Sequence, residues 1–255
     1  MIQVVSYGAG VNSTAMLVEM VGRAEPCDAI VFADTGGERP QTYEYMQSFS
    51  SWLVGHGYPA IATVQNDGMH KTLEAECLTN RRLPSVAFGF KSCSDKYKRR
   101  PFAKWLKAQE LGDVTVCIGF DADEPHRGER GNASEDPYLK RYPLIEWGMG
   151  REECLGVIRG AGLPIPGKSA CFFCPNSKVH EILSLPQVLL DRALKIESNA
   201  SLTSIAGLGR RWSWADLVRS DRAQMRLFRQ DLDMPCDCFD GDGSHENEAI
   251  VEGRA

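Results

Sequence analysis

The chain has 255 residues, of which 43% are hydrophobic and 25% charged, with a net charge of −5. That length suits one large α/β domain, or a domain with a small appendage, and the apolar share can build a core without disulfides or metals. The acidic balance excludes an overall basic field that would recruit nucleic acid and leaves only local patches for that purpose.

The opening MIQVVSYGAG has no basic segment before its short apolar run, so it does not read as a signal peptide. No stretch approaches membrane-spanning length. A cytoplasmic location without a membrane partner is the expectation, and there thiols stay reduced. The nine cysteines, an odd number, therefore read as core residues, metal ligands or redox groups rather than a disulfide framework.

Ile2 to Ser6 reads as a buried strand, followed by a Gly-containing turn. A helix over 13–23 follows, with Met16, Leu17 and Met20 on its apolar face. A second apolar strand covers 28–33 and ends in Asp34-Thr35-Gly36-Gly37; a helix over 41–56 starts just after Pro40, a residue that sits well at a helix start. Residues 60–64 give a third strand and 114–120 a fourth. Strands alternating with helices predict an α/β fold: a Rossmann-like parallel sheet with helices on both faces and a C-terminal helical extension.

From 124 to 136 the polar, Gly-containing sequence reads as a loop over a site. Beyond Arg151 the segments 152–160, 178–185, 187–199 and 221–231 read as helices. The expected division is a nucleotide-binding domain over 1–165, a Cys-containing helical extension over 166–240, and a loose acidic tail over 241–255.

The first turn runs Ser6-Tyr7-Gly8-Ala9-Gly10-Val11-Asn12-Ser13-Thr14 and opens a helix. Glycines let backbone approach a phosphate, and helix-start amides favour an anion, so Ser6, Gly8, Gly10, Asn12, Ser13 and Thr14 are candidate nucleotide contacts; a plain strand–helix turn is the alternative. At the second strand end, Asp34 can orient a ribose or a metal, while Thr35 and Glu38 can instead form a capping box.

These stretches resemble the phosphoadenosine phosphosulfate (PAPS) reductase family within the PP-loop, or adenine nucleotide alpha-hydrolase-like, superfamily. The first turn is similar to the SGGxDS phosphate loop: Gly10 and Ser13 match, while Gly8, Ala9 and Asn12 stand in for a serine, a glycine and an aspartate. Residues 32–43, FADTGGERPQTY, resemble the DTGxExPxTY signature. The run 118–127, IGFDADEPHR, resembles the strand-end Gly, acidic pair and arginine of the family. By that resemblance Asp34, Thr35, Glu38 and Gly119 join the cofactor-binding set and Arg127 is catalytic, holding a phosphate or sulfate.

Lys91 to Pro101 concentrates five cations, read either as a solvated helix start or as an anion-binding wall. It resembles the cysteine- and lysine-bearing region of iron–sulfur sulfonucleotide reductases, which makes Lys96 a catalytic candidate and Cys93 a metal ligand. Cys171-Phe172-Phe173-Cys174 is a CxxC turn, able to bring two thiolates to one metal, to act as a redox pair, or to serve as core. The resemblance gives the ligands Cys93, Cys171 and Cys174, either with Cys238 or Cys236 as a fourth or as a three-cysteine cluster that keeps one iron open. It favours a 4Fe-4S cluster over zinc. Cys27, Cys77, Cys117 and Cys154 read as core.

The reductase family's C-terminal ECGxH-like nucleophile motif is absent. The superfamily resemblance then implies an enzyme that activates an acceptor with ATP, forming AMP and pyrophosphate with Mg²⁺, for sulfur transfer such as nucleic-acid thiolation or phosphorothioation. Its partners would be an adenine nucleotide, a sulfur donor such as a cysteine desulfurase, and a nucleic acid. The alternatives are a sulfonucleotide reductase acting on PAPS or APS, and a non-catalytic nucleotide-binding module with structural zinc. Trp212 and Trp214, beside Arg210 and Arg211, can stack on a base or pack a helix.

Overall fold

A computed structural model describes residues 1–84, 86–87, 90–132, 136 and 138–228. In chain order the elements are β1 (Ile2–Tyr7), α1 (Val11–Gly22), β2 (Ala29–Asp34), α2 (Pro40–Gly55), β3 (Ile61–Gln65), α3 (Leu73–Asn80), β4 (Val86–Ala87) and β5 (Phe90–Lys91). There follow α4 (Ser92–Ser94), a π-helical turn (Asp95–Arg99), α5 (Arg100–Ala108), β6 (Val114–Ile118), α6 (Pro125–Asn132), β7 (Leu139–Arg141) and α7 (Pro143–Glu146). The remainder is helical: α8 (Arg151–Gly160), α9 (Val179–Leu183), α10 (Gln187–Asn199) and α11 (Trp214–Phe228).

Five strands form one sheet in the order β3-β2-β1-β6-β7, with every neighbour parallel. Alternation along the strands explains why both faces are covered. Val5, Tyr7, Ile30, Phe32 and Cys117 enter one core with α1, α2 and α8, and the intervening Val4, Val31, Val114 and Val116 enter another with α5. Val4 and Val5 are both fully buried, so β1 reads as a continuous apolar run because neither face meets water. Each such side chain contributes about 1.5–3 kcal/mol of burial. The fold class is the expected α/β sheet with helices on both sides.

A third core gathers α3, α9, α10 and the start of α11 around Phe172, Phe173 and Trp214. Trp214 is fully buried, which favours packing over base stacking for that residue. Among the described residues, no helix is long and apolar enough to cross a membrane.

The structure departs from the sequence expectation in two segments. Most of the loop expected over 124–136 is helix α6. Its polar sequence has no apolar stripe to read; it closes on the core through buried Gly128, where a Cβ would stand 3.1 Å from Ile145 Cδ1. Helix α11 begins at Trp214 rather than at 221, because Glu197 on α10 accepts the backbone N–H groups of Trp214 and Ala215 at 2.9 Å each. A carboxylate from a distant helix thus caps its start, a signal no local window contains. The last residues of that expected helix, 229–231, lie outside the described residues.

Candidate functional site

The chain runs β1 to β3 towards one edge of the sheet and then crosses back to place β6 on the other side of β1. Ligands of open parallel sheets bind outside the carboxyl ends of the strands at such a switch point. The loop Gly8-Ala9-Gly10 lies there, between β1 and α1. Ala9 adopts φ 56°, a left-handed conformation that turns the chain sharply into the helix. Ser13 Oγ accepts the Gly8 N–H at 3.2 Å and donates to the Gly10 carbonyl, and Thr14 Oγ1 bonds the Tyr7 hydroxyl at 3.1 Å. Gly10 at the N-cap provides no side-chain cap, so the first-turn amides face outward with the positive end of the helix dipole. Ser6 is the penultimate residue of β1.

Gly119, directly after β6, makes this approach possible. A Cβ there would stand 2.9 Å from Ser13 Cα and 3.0 Å from its nitrogen. A side chain at this position would meet the backbone of the α1 start, which Gly119 lets sit against β6. Beyond it, Asp121 is buried and its Oδ2 accepts from Asn12 Nδ2 at 2.7 Å. On the other flank, Ser169 Oγ donates to the Gly8 carbonyl at 2.5 Å and ties the segment leading to Cys171 onto the loop.

Asp34 ends β2 and is fully engaged within the protein. It accepts from the Gly36 amide at 2.7 Å, the Tyr43 hydroxyl at 2.8 Å and Gln65 Nε2 at 2.9 Å. Burial, then the Asp34 carboxylate, raises the Tyr43 hydroxyl well above the usual phenol range, so that hydroxyl stays a donor. Thr35 Oγ1 accepts the Gly37 N–H at 3.2 Å and lies 3.0 Å from Cys171 Sγ. Glu38 and Cys171 form an isolated antiparallel bridge, and the Phe172 N–H donates to the Gly37 carbonyl at 2.8 Å. Gly37 is needed for this docking, since a Cβ would meet the Phe173 ring at 2.8 Å.

The two sequence signatures, the strand-end acidic run and the CxxC turn, are therefore paired backbone to backbone. The Cys174 N–H closes the turn on the Cys171 carbonyl at 3.0 Å. Burial pushes the Cys171 thiol up to about 12, with the Glu38 carboxylate adding to the rise. Cys93 is raised as well, by burial and then by the Cys174 sulfur. Soft thiols of this kind suit iron or zinc. As they stand, no three Cys, His, Asp or Glu side chains among the described residues converge to hold one metal ion. Cys238 and Cys236 lie outside the described residues.

The two expected catalytic cations have local partners. Lys96 pairs with Glu76, and Arg127 pairs with Glu124 at 2.6 Å and stacks on the Phe120 ring at 4.2 Å. A cation that acts on both Cys93 and Cys171 is instead Lys98, 3.1 Å from Glu38 Oε1. Burial opposes its charge, but Glu38, followed by Cys171, holds the ammonium above its ordinary range. The π-helical turn sets which lysine points inward, and its extra residue defeats a reading by helical period. Cys77, read as core, is indeed buried, yet it lines a cleft of about 290 Å³ together with Cys93, Lys96, Arg82 and Arg100.

The fold and this site together define an open parallel α/β protein with a glycine-containing loop and an uncapped helix start at its switch point, and with the CxxC turn docked beside them. No protein-family model matches the chain, and no curated protein matches it. Among solved structures it is similar to the U34-tRNA thiolase NcsA from Methanococcus maripaludis with its 4Fe-4S cluster. The identity is 15% and the TM-score 0.47, over 96% of this chain and 78% of that one.

Proposed function

We propose that the protein is a PP-loop ATP pyrophosphatase that activates an acceptor for sulfur transfer. One observation carries the reading: the loop before the uncapped start of α1, at the β1–β6 switch point, is tied through Gly8 by Ser169 to the segment bearing Cys171 and Cys174, and Thr35 at the end of β2 meets the Cys171 thiol. Anion chemistry and thiol chemistry thus share one crevice.

In this reading the Gly8–Thr14 loop holds the polyphosphate of ATP, with Mg²⁺ offsetting its charge. An acceptor oxygen attacks the α-phosphorus, the bond to the β-phosphate breaks, and pyrophosphate leaves with the electron pair. A sulfur nucleophile then adds at the activated atom and AMP departs. The acceptor is a nucleic-acid group, and a sulfur-donor protein such as a cysteine desulfurase supplies the sulfur. Cys93, Cys171 and Cys174, with Cys238, are the proposed ligands of an iron–sulfur centre, whose chemistry when bound is to carry sulfur or electrons. No step is assigned to it, because the described thiols do not converge on one ion. Lys98 keeps positive charge beside Glu38 and Cys171, where an anionic sulfur would otherwise be repelled.

The test is product analysis of ATP incubated anaerobically with the protein, a hydrosulfide source, and RNA or DNA. AMP and pyrophosphate in equal amounts, with sulfur in the nucleic acid, are expected. ADP formation, saturable binding without turnover, or adenosine 3′,5′-bisphosphate release from PAPS with a thiol reductant would each overturn the reading.

A further inference from the structure

The phosphate loop has no basic side chain of its own: from Gly8 to Thr14 the sequence is GAGVNST. Polyphosphate held by amides alone meets no formal positive charge and no bidentate guanidinium fork. The fold brings a cation to the loop from elsewhere. Arg151, the first residue of α8, donates from Nη1 to Asn12 Oδ1 at 2.7 Å, bridging 139 positions of sequence. Helix α8 packs along α1, with its Cys154 and Ile158 buried in the same core as Met16 and Met20 of α1.

Arg151 is held at the loop with donors to spare. Its side-chain partner is a neutral amide, and it makes no ion pair with a carboxylate among the described residues. A guanidinium carries five N–H donors, so most of its capacity is open. Its own backbone N–H donates to Asp123 Oδ2 at 2.7 Å, which fixes the helix start and holds the side chain at the first turn of α1.

Asn12 works as a two-ended bridge. Its carbonyl oxygen accepts from Arg151 while its Nδ2 donates to Asp121 Oδ2 at 2.7 Å. Asp121 is 4% exposed, and its Oδ1 has no hydrogen-bond partner among the described residues. A buried, half-satisfied carboxylate beside an anion site would repel phosphate unless a cation accompanied the ligand. The geometry supplies that cation one amide away.

We infer that Arg151 is a binding residue for the β- and γ-phosphates of the nucleotide, held over the loop by Asn12, which Asp121 in turn orients. This rests on the ATP reading above and names its missing cationic contact. The guanidinium fork suits two phosphate oxygens at once, which a lysine cannot match.

The experiment is calorimetric binding of ATP, inorganic pyrophosphate and AMP to the full-length protein and to R151A, R151K and N12A, with a thermal melt of each. In R151A, ATP and pyrophosphate affinity are expected to fall by about tenfold or more, while AMP affinity and the melting temperature hold. R151K is expected to recover part of the loss, and N12A to lose less than R151A because the arginine remains. Equal ATP affinity in R151A and wild type, with wild type binding normally, overturns the inference and leaves the ATP reading intact. A wild-type protein that binds neither ATP nor pyrophosphate overturns both. Should R151A fold poorly, R151K decides alone: wild-type ATP affinity there removes the fork from the site.

Discussion

The Thr35 hydroxyl lies 3.0 Å from the Cys171 thiol across 136 positions of sequence. This contact joins the end of β2 to the CxxC turn and carries two backbone links with it, the Glu38–Cys171 bridge and the Phe172 N–H bond to Gly37. The same hydroxyl accepts the Gly37 amide, so one side chain holds both the strand end and the cysteine in place.

Thr35→Val keeps the shape and removes that oxygen. The Gly37 N–H is then left buried without its acceptor, at a cost of about 1–3 kcal/mol. Urea unfolding followed by circular dichroism should show a lower midpoint at unchanged slope. An unchanged midpoint would show that the hydroxyl holds neither partner.

The Glu38–Lys98 pair is asymmetric: the Glu38 side chain has no exposed surface, while that of Lys98 is 37% exposed. Lys98→Met strands a buried carboxylate that already has one oxygen unpartnered among the described residues, and should cost about 3–5 kcal/mol. Glu38→Gln should cost less, because Lys98 can extend into water. Equal or reversed losses in the two variants would contradict this account of the pair.

Gly119→Ala drives a methyl group to 2.9 Å from Ser13 Cα. Overpacking of this kind costs about 1–3 kcal/mol, and here it also displaces the start of α1. Pyrophosphate binding should weaken together with stability. A variant that keeps both would place the α1 start further from β6 than the geometry gives.

Cys93→Ser, Cys171→Ser and Cys174→Ser should each lower the iron and acid-labile sulfide of anaerobically purified protein, with loss of broad visible absorption. Cys154→Ser, deep in the α1–α8 core, should leave the metal content as it was. Stoichiometric zinc without iron in the wild type would remove the iron–sulfur proposal.

Buried thiols set an alkaline limit. Burial raises Cys27, Cys77 and Cys154 from the ordinary 9.0 to about 12 each. The folded state therefore keeps these protons longer than the unfolded chain does. Their contribution to stability is complete below pH 9.0 and is lost as pH rises from there towards about 12. Chemical denaturation across that range should show a declining midpoint, and Cys154→Ala should flatten the decline; a slope unchanged by the substitution would exclude Cys154 as a contributor.

Local sequence was enough to place the apolar strands β1, β2, β3 and β6, the Pro-started α2, the amphipathic α1 and the phosphate-type turn, because each is decided by residues within one or two turns of each other. Helix α6 was not legible, since PHRGERGN has no apolar period, and the start of α11 depends on Glu197 from another helix. The candidate site was legible as residue types: Asp34, Thr35, Glu38 and the CxxC turn all lie in one connected region. Its wiring was not. Which lysine faces Glu38 is set by the π-helical turn, and Arg151 reaches Asn12 only because the strand order sets α8 beside α1. Periodicity encodes which face of an element is buried, whereas long-range pairing depends on which elements the sheet order makes neighbours, and only the assembled fold decides that.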